Sequence, residues 1–119
     1  MSLALAVTAA SCYLRNLRTR LPFRYGAVTL TRFPLLHLAL DVEAADGRRA
    51  RGFAADNLPP KWFDKTPARS FRDNVGDLLA SIRAAQSAYL DAGRRPRPVF
   101  DLWHDAYPDC ARRAAALRL

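Results

Sequence analysis

Histidine, cysteine and glutamate are scarce in this 119-residue chain: His37 and His104, Cys12 and Cys110, and Glu43 are the whole supply. The cysteines lie far apart and form no Cys-x-x-Cys pair, so neither a zinc site nor a dithiol redox motif is encoded. They read as small, reduced core residues. The two imidazoles fall in different elements with no Glu or Cys at ligand spacing beside them, which argues against a metal site. His37 reads as a surface residue, and His104, next to Trp103, as packing. No Gly-x-Ser-x-Gly, Walker-type loop, Gly-x-Gly-x-x-Gly or His-Glu-x-x-His occurs. No run approaches the ~20 apolar residues of a membrane helix. The apolar stretch Leu3 to Ala10 lacks the basic residue that opens a secretory signal, so a cytoplasmic location is expected.

Acid is outnumbered. The 19 Lys and Arg against 11 Asp and Glu leave a net charge of +8, and all the basic residues except Lys61 and Lys65 are arginine. Such an imbalance invites a polyanion partner, with Arg15, Arg18, Arg20, Arg24 and the Arg94-Arg95-Arg97 cluster as contacts. The absence of a long basic run disfavours nucleic acid as the principal ligand. Half of the residues are hydrophobic and a quarter are charged, the balance of one ordinary globular domain over 1–119. A chain this short cannot hold an eight-fold barrel, which needs roughly 200 residues or more.

The pattern along the chain predicts an α+β domain, with a sheet over about 3–58 and helices over about 67–119. Leu3 to Leu17 is mainly small, β-branched or apolar and reads as one long strand or a broken pair. In Leu35 to Glu43, Leu36, Leu38, Leu40 and Val42 alternate with His37, Asp41 and Glu43, the period of a half-buried strand. Asp46-Gly47 then supplies a hairpin turn, because both residues tolerate positive φ. Arg48 to Ala55 returns antiparallel with Ala50, Gly52 and Ala54 on one face, where something can pack closely. Pro59-Pro60 leaves the sheet as a loop. Thr66-Pro67 or Ser70-x-x-Asp73 starts a helix whose stripe is Phe71, Val75, Leu78, Leu79, Ile82, Ala85 and Tyr89. Gly93 stands where a left-handed C-terminal residue is wanted. Arg94 to Pro98 reads as a stiff linker. A second helix from Val99 carries Phe100, Trp103, His104 and Tyr107 on one face, is kinked or ended by Pro108, and is followed by a third short helix from Asp109.

Two segments combine charge with aromatic rings. Arg20 to Gly26 sets two guanidiniums and two rings around a proline, and suits an anionic or planar ligand or an ordinary crossing between strands. Asp56-Asn57-Leu58-Pro59-Pro60-Lys61-Trp62-Phe63 is the second, and equally suits a loop whose rings cap the core.

Taken together, Leu21-Pro22-Phe23-Arg24-Tyr25-Gly26, the following Val28-Thr29-Leu30-Thr31, the strand Leu35 to Val42, the Asp46-Gly47 turn and the Gly52-containing strand resemble a known family. The likeness is to the N-terminal capping domain of the mandelate racemase and muconate-lactonizing branch of the enolase superfamily, over about residues 9–92. It implies a three-stranded antiparallel meander followed by a small helical bundle. It also implies that Leu21 to Thr29 and Asp56 to Trp62 are loops closing over a barrel active site, with Phe23, Arg24, Tyr25, Asp56, Asn57, Lys61 and Trp62 facing a small carboxylate substrate. Where relatives carry a Gly-x-Gly-Glu-like strand end, this chain has Gly52-Phe53-Ala54-Ala55-Asp56. The family's catalytic residues and Mg2+-binding carboxylates belong to the barrel. This chain is therefore expected to lack turnover and to carry no cofactor, with Mg2+ only in a parent isomerase or lyase: a racemase, cycloisomerase or dehydratase. The expected partners are a barrel in cis or trans, or a second copy; the alternatives are a stand-alone interaction module and a basic polyanion-binding domain.

Overall fold

In a computed structural model, residues 3–118 are described. Strands β1 (Ala4–Tyr25), β2 (Val28–Ala44) and β3 (Arg49–Asn57) run into helix α1 (Phe71–Ala92), a two-residue strand β4 (Arg97–Pro98) and helix α2 (Val99–Ala116). The architecture is α+β, as the pattern predicts. The sheet has four antiparallel strands in the order β3-β2-β1-β4 rather than three. The extra strand comes from the expected linker: Pro98 and Arg97 lie opposite Ala4 and Leu5. A proline without a backbone donor is tolerated there because β4 is an edge.

The β1–β2 hairpin is much longer than the alternation suggests. Leu21 to Thr29 is its distal end and not a free loop, with strand pairing resumed at Phe23↔Leu30, Arg24↔Thr29 and Tyr25↔Val28. Two irregularities in β1 hid this from the pattern. Thr8 is one extra residue between the pairs Val7↔Val42 and Ala9↔Asp41, and its hydroxyl donates to the Asp41 carbonyl at 3.2 Å. Between Arg18↔Arg32 and Phe23↔Leu30, β1 spends Thr19 to Pro22 against Thr31 alone. A proline cannot donate to the ladder, and the surplus residues bulge outward there. The turn itself is Gly26-Ala27, with Gly26 at φ 55°, the left-handed first position that a tight hairpin needs. Asp46-Gly47 forms the second turn as expected, with Gly47 at φ 87° and its N–H donating to the Ala44 carbonyl at 2.9 Å.

Helix α1 lies over β1 and β2. Leu79, Ile82 and Arg83 share a cavity with Cys12, Leu14 and Leu36, and the Gln86 amide donates to the Ala10 carbonyl at 3.2 Å. The buried apolar residues are Ala6, Val7, Leu30, Leu36, Ala39, Ala44, Leu58, Ala88, Leu102 and Ala106. Strand β3 contributes none of them. Arg49 to Asp56 are all exposed, and a Cβ on Gly52 meets nothing within 4 Å, so the small-residue face of this strand is uncovered.

Of the two helix starts, Ser70 is the one used. Its hydroxyl accepts from Asp73 N at 3.0 Å while the Asp73 carboxylate accepts from Ser70 N at 2.9 Å, a reciprocal capping box. The end differs from expectation. Gly93 has φ −93°, outside the left-handed region, and its glycine is demanded by proximity: an added Cβ lies 2.8 Å from both Cβ and Cγ2 of Val7. The Gly93 carbonyl also accepts from Val7 N at 2.8 Å. Helix α2 runs unbroken through Pro108, so the expected third helix is its C-terminal half. Contacts on both sides of the proline hold it: Asp105 pairs with Arg97, and Arg113 reaches Asp91 at 2.5 Å and Asp109 at 2.9 Å. Leu102 and Ala106 form its buried side.

Candidate functional site

Chain length alone would keep the two candidate segments apart, since Tyr25 and Pro60 are 35 residues distant in sequence. The hairpin brings them together. Phe23, Tyr25, Val28 and Leu30 share one face of the distal hairpin by register and alternation, and Leu30 is 1% exposed. The same face of β2 continues through Arg32, Pro34 and Leu36 toward α1. The segment after β3 crosses it, because Leu58 N donates to the Pro34 carbonyl at 3.0 Å and Leu58 is buried.

The Tyr25 hydroxyl donates to the Pro60 carbonyl. Its ring meets Trp62 edge to face at a centroid distance of 5.2 Å, and Phe23 packs on it at 5.7 Å. Such arrangements are favoured because the positive ring edge meets the negative ring face. Burial raises the Tyr25 phenol above its ordinary pKa, so it remains a donor throughout the neutral range. An open cavity of about 410 Å³ lies here between Tyr25, Gly26, Val28, Lys61, Trp62 and Lys65. Phe23 stays 54% exposed and Trp62 50% exposed, giving an aromatic rim.

Lys61 does structural work. It sits at φ 63°, an uncommon conformation for a residue with a side chain. Its N–H donates to Asn74 Oδ1 at 2.9 Å, and its ammonium donates to the Thr66 carbonyl at 2.6 Å and to the Arg69 carbonyl. The loop is thereby tied to the start of α1. Arg24 lies opposite Thr29, on the hairpin face away from Tyr25. Asp56 and Asn57 lie on the last pairs of β3, opposite Leu36 and Leu35, and Asp56 Oδ1 accepts from Asn57 N at 2.8 Å. The structure thus joins Phe23, Tyr25, Lys61 and Trp62 and leaves Arg24, Asp56 and Asn57 outside that cluster.

Asn74 carries no signal in the sequence reading, although it falls between Phe71 and Leu78 on the helix stripe. It is 4% exposed, and its Nδ2 has no partner among the described residues. A polar residue at an apolar stripe position was the available clue. Its acceptor role for Lys61 explains half of it. A second unforeseen feature is on α2. Phe100, Trp103 and Tyr107 form a ladder with ring spacings of 5.7 and 5.6 Å, and His104 stacks on Phe100. The helical face is as predicted, but it points outward: Phe100 is 66% and Tyr107 62% exposed, because Leu102 and Ala106 take the inner side.

Among the described residues no group of three His, Cys, Asp or Glu is placed to hold a metal ion. Burial raises both thiols, Cys12 and Cys110, above the usual cysteine pKa, so neither is activated as a nucleophile. No helix among the described residues is long and apolar enough to cross a membrane. Compared with protein-family models, with curated proteins and with solved structures, the chain matches none.

Proposed function

We propose that this chain is a non-catalytic capping domain, whose aromatic rim covers the ligand site of a barrel as in mandelate racemase and muconate-lactonizing enzymes. The observation that carries the reading is the convergence of two remote segments on one exposed rim: Tyr25 at the hairpin end and Trp62 after β3 are in ring contact, tied by the Tyr25–Pro60 hydrogen bond. A rim exposing Phe23 and Trp62 is apolar surface awaiting a cover. Within this reading Tyr25 and Trp62 select substrate, Lys61 fixes the loop, and Arg24, Asp56 and Asn57 stand outside the rim. Turnover, Mg2+ and the small carboxylate substrate belong to the barrel.

The test begins with the mass of the product the cell makes and the coding sequence beyond Leu119. A product carrying a barrel, in which Trp62→Ala changes kcat/KM for one acid-sugar substrate at least about tenfold more than for another, supports capping. A 119-residue protein that itself catalyses a Mg2+-dependent racemisation or elimination overturns it. The second reading, an interaction module, is favoured by the outward ladder of Phe100, Trp103 and Tyr107. It gains if the cellular product ends at Leu119.

A further inference from the structure

The distal hairpin carries an unusual concentration of uncompensated positive charge. Between Arg15 and Asp41 there is no acidic residue, while Arg15, Arg18, Arg20, Arg24 and Arg32 fall inside that span. Arg18 and Arg32 are directly opposite each other in the β1–β2 register. Side chains so paired have Cβ atoms about 4.5–5.5 Å apart, and like charges there destabilise the sheet. Arg72 stands in the first turn of α1, immediately before Asp73, where the helix dipole disfavours a cation. All three arginines line one open cavity of about 560 Å³ between the hairpin and α1.

Other arginines, around β3 and in the helical half, behave differently. Arg48, Arg49, Arg51, Arg69, Arg94, Arg97, Arg112 and Arg113 each reach a carboxylate. Arg18, Arg32 and Arg72 reach none among the described residues, and no acid lines their cavity. Asp73, one residue along, is held by Ser70 and feels Arg69 and Lys61, so its charge is engaged elsewhere. The remaining wall offers Asn16 as a polar partner and Phe71 and Val75 as apolar surface.

We propose that this cavity binds a phosphate monoester with an aromatic or apolar body, the phosphate between Arg18, Arg32 and Arg72 and the body against Phe71 and Val75. Three guanidiniums outnumber the single charge of a carboxylate and match a dianion, which they grip through paired N–H donors. The cavity has the size of a small-molecule site, which runs from roughly 300 to 1,000 Å³. A free polyphosphate backbone would leave the apolar wall unused. The proposal concerns a different cavity from the Tyr25–Trp62 rim and stands whether or not the chain caps a barrel.

The probe is phenyl phosphate, titrated into the full chain by calorimetry and by thermal unfolding, with inorganic phosphate and a 20-nucleotide single-stranded DNA as comparison arms. Phenyl phosphate should bind saturably and raise Tm. Inorganic phosphate should bind at least about tenfold more weakly, because it forfeits the apolar wall. Arg18→Gln and Arg32→Gln should each raise the Tm of the unliganded chain by about 1–4 °C by removing the like-charge pair. Both should weaken phenyl phosphate at least about tenfold, since a charge-assisted hydrogen bond is lost. Arg95→Gln, far from the cavity, should change neither. Equal affinity for phenyl and inorganic phosphate overturns the proposal, as does a lower Tm or failed folding in both cavity variants. DNA that displaces phenyl phosphate with a steep salt dependence replaces it with a nucleic-acid surface.

Discussion

Single atoms decide whether two elements meet, and Gly93 is the clearest instance. Its backbone is unstrained at φ −93°, so glycine is not kept for conformational freedom. It is kept because the end of α1 touches β1, where a Cβ would stand 2.8 Å from Val7. Gly93→Ala is therefore expected to cost about 1–3 kcal/mol by overpacking, read as a lower urea midpoint. Gly93→Ala combined with Val7→Ala should recover part of the loss. Full recovery of stability by a turn-compatible residue such as Asn would mean that conformation and not space governs the site. At the rim, Tyr25→Phe removes the hydrogen bond to Pro60 while keeping the ring on Trp62. Its expected cost is about 0.5–1.5 kcal/mol. Because burial raises the Tyr25 pKa, the stability this phenol supplies is complete below the ordinary tyrosine pKa and is lost as pH rises through the elevated folded value. Tyr25→Phe should accordingly flatten the alkaline limb of the stability profile measured by denaturant titration.

Helices and strands divide into those that the sequence announced and those that packing rearranged. Asp46-Gly47, a strand over Leu36 to Val42 and the Ser70-x-x-Asp73 signal all depend on residues within a few positions of each other, and the structure has each of them. Burial does not follow the expected alternation: Leu38, Leu40 and Val42 are only half-buried, like His37 and Asp41, while Ala39 on the opposite face is buried. The length of the hairpin was not legible, because Thr19 to Pro22 breaks the period exactly where pairing resumes further on. The outward turn of the α2 aromatics was equally hidden: periodicity gives a face, and only the position of α1 shows which face is inner. Convergence of Tyr25 with Trp62 needed the full length of the hairpin and the return of the segment after β3 across it, so a sequence could nominate both residues but not their contact. The capping box gives this scale its own test. Ser70→Ala should destabilise the chain by about 1 kcal/mol. The Asp73 carboxyl is held below the usual carboxylate range first by its bonds to Ser70, so its support of α1 is present above the unfolded carboxylate pKa and fades as pH falls through the lower folded value. In Ser70→Ala that acid-dependent loss of helix, followed by circular dichroism, should shrink.

At the scale of the molecule the long hairpin sets both shape and charge. The radius of gyration is 16.7 Å and the extents are 50 × 33 × 21 Å, against about 13.5 Å expected for a compact chain of this length. An elongated body has more surface than its core can cover, and here the surplus is apolar: Phe53 on the uncovered edge strand β3 is 77% exposed, alongside the rim and the α2 ladder. An unpaired, bulge-free edge such as β3 favours pairing with another chain. Opposing this, each copy carries a net charge of +8, and repulsion between two copies reaches about 30 Å in 0.01 M salt but only about 3 Å in 1 M salt. Association through apolar surface should therefore strengthen as salt rises. Light scattering on the purified chain is expected to give a monomer mass in about 10 mM salt and a growing mass toward 500 mM, with Phe53→Lys lowering the mass at the high end by adding charge to the edge. A mass that falls with added salt would identify ionic contacts as the glue and remove the hydrophobic account, since ion pairs weaken and apolar burial does not when screening increases.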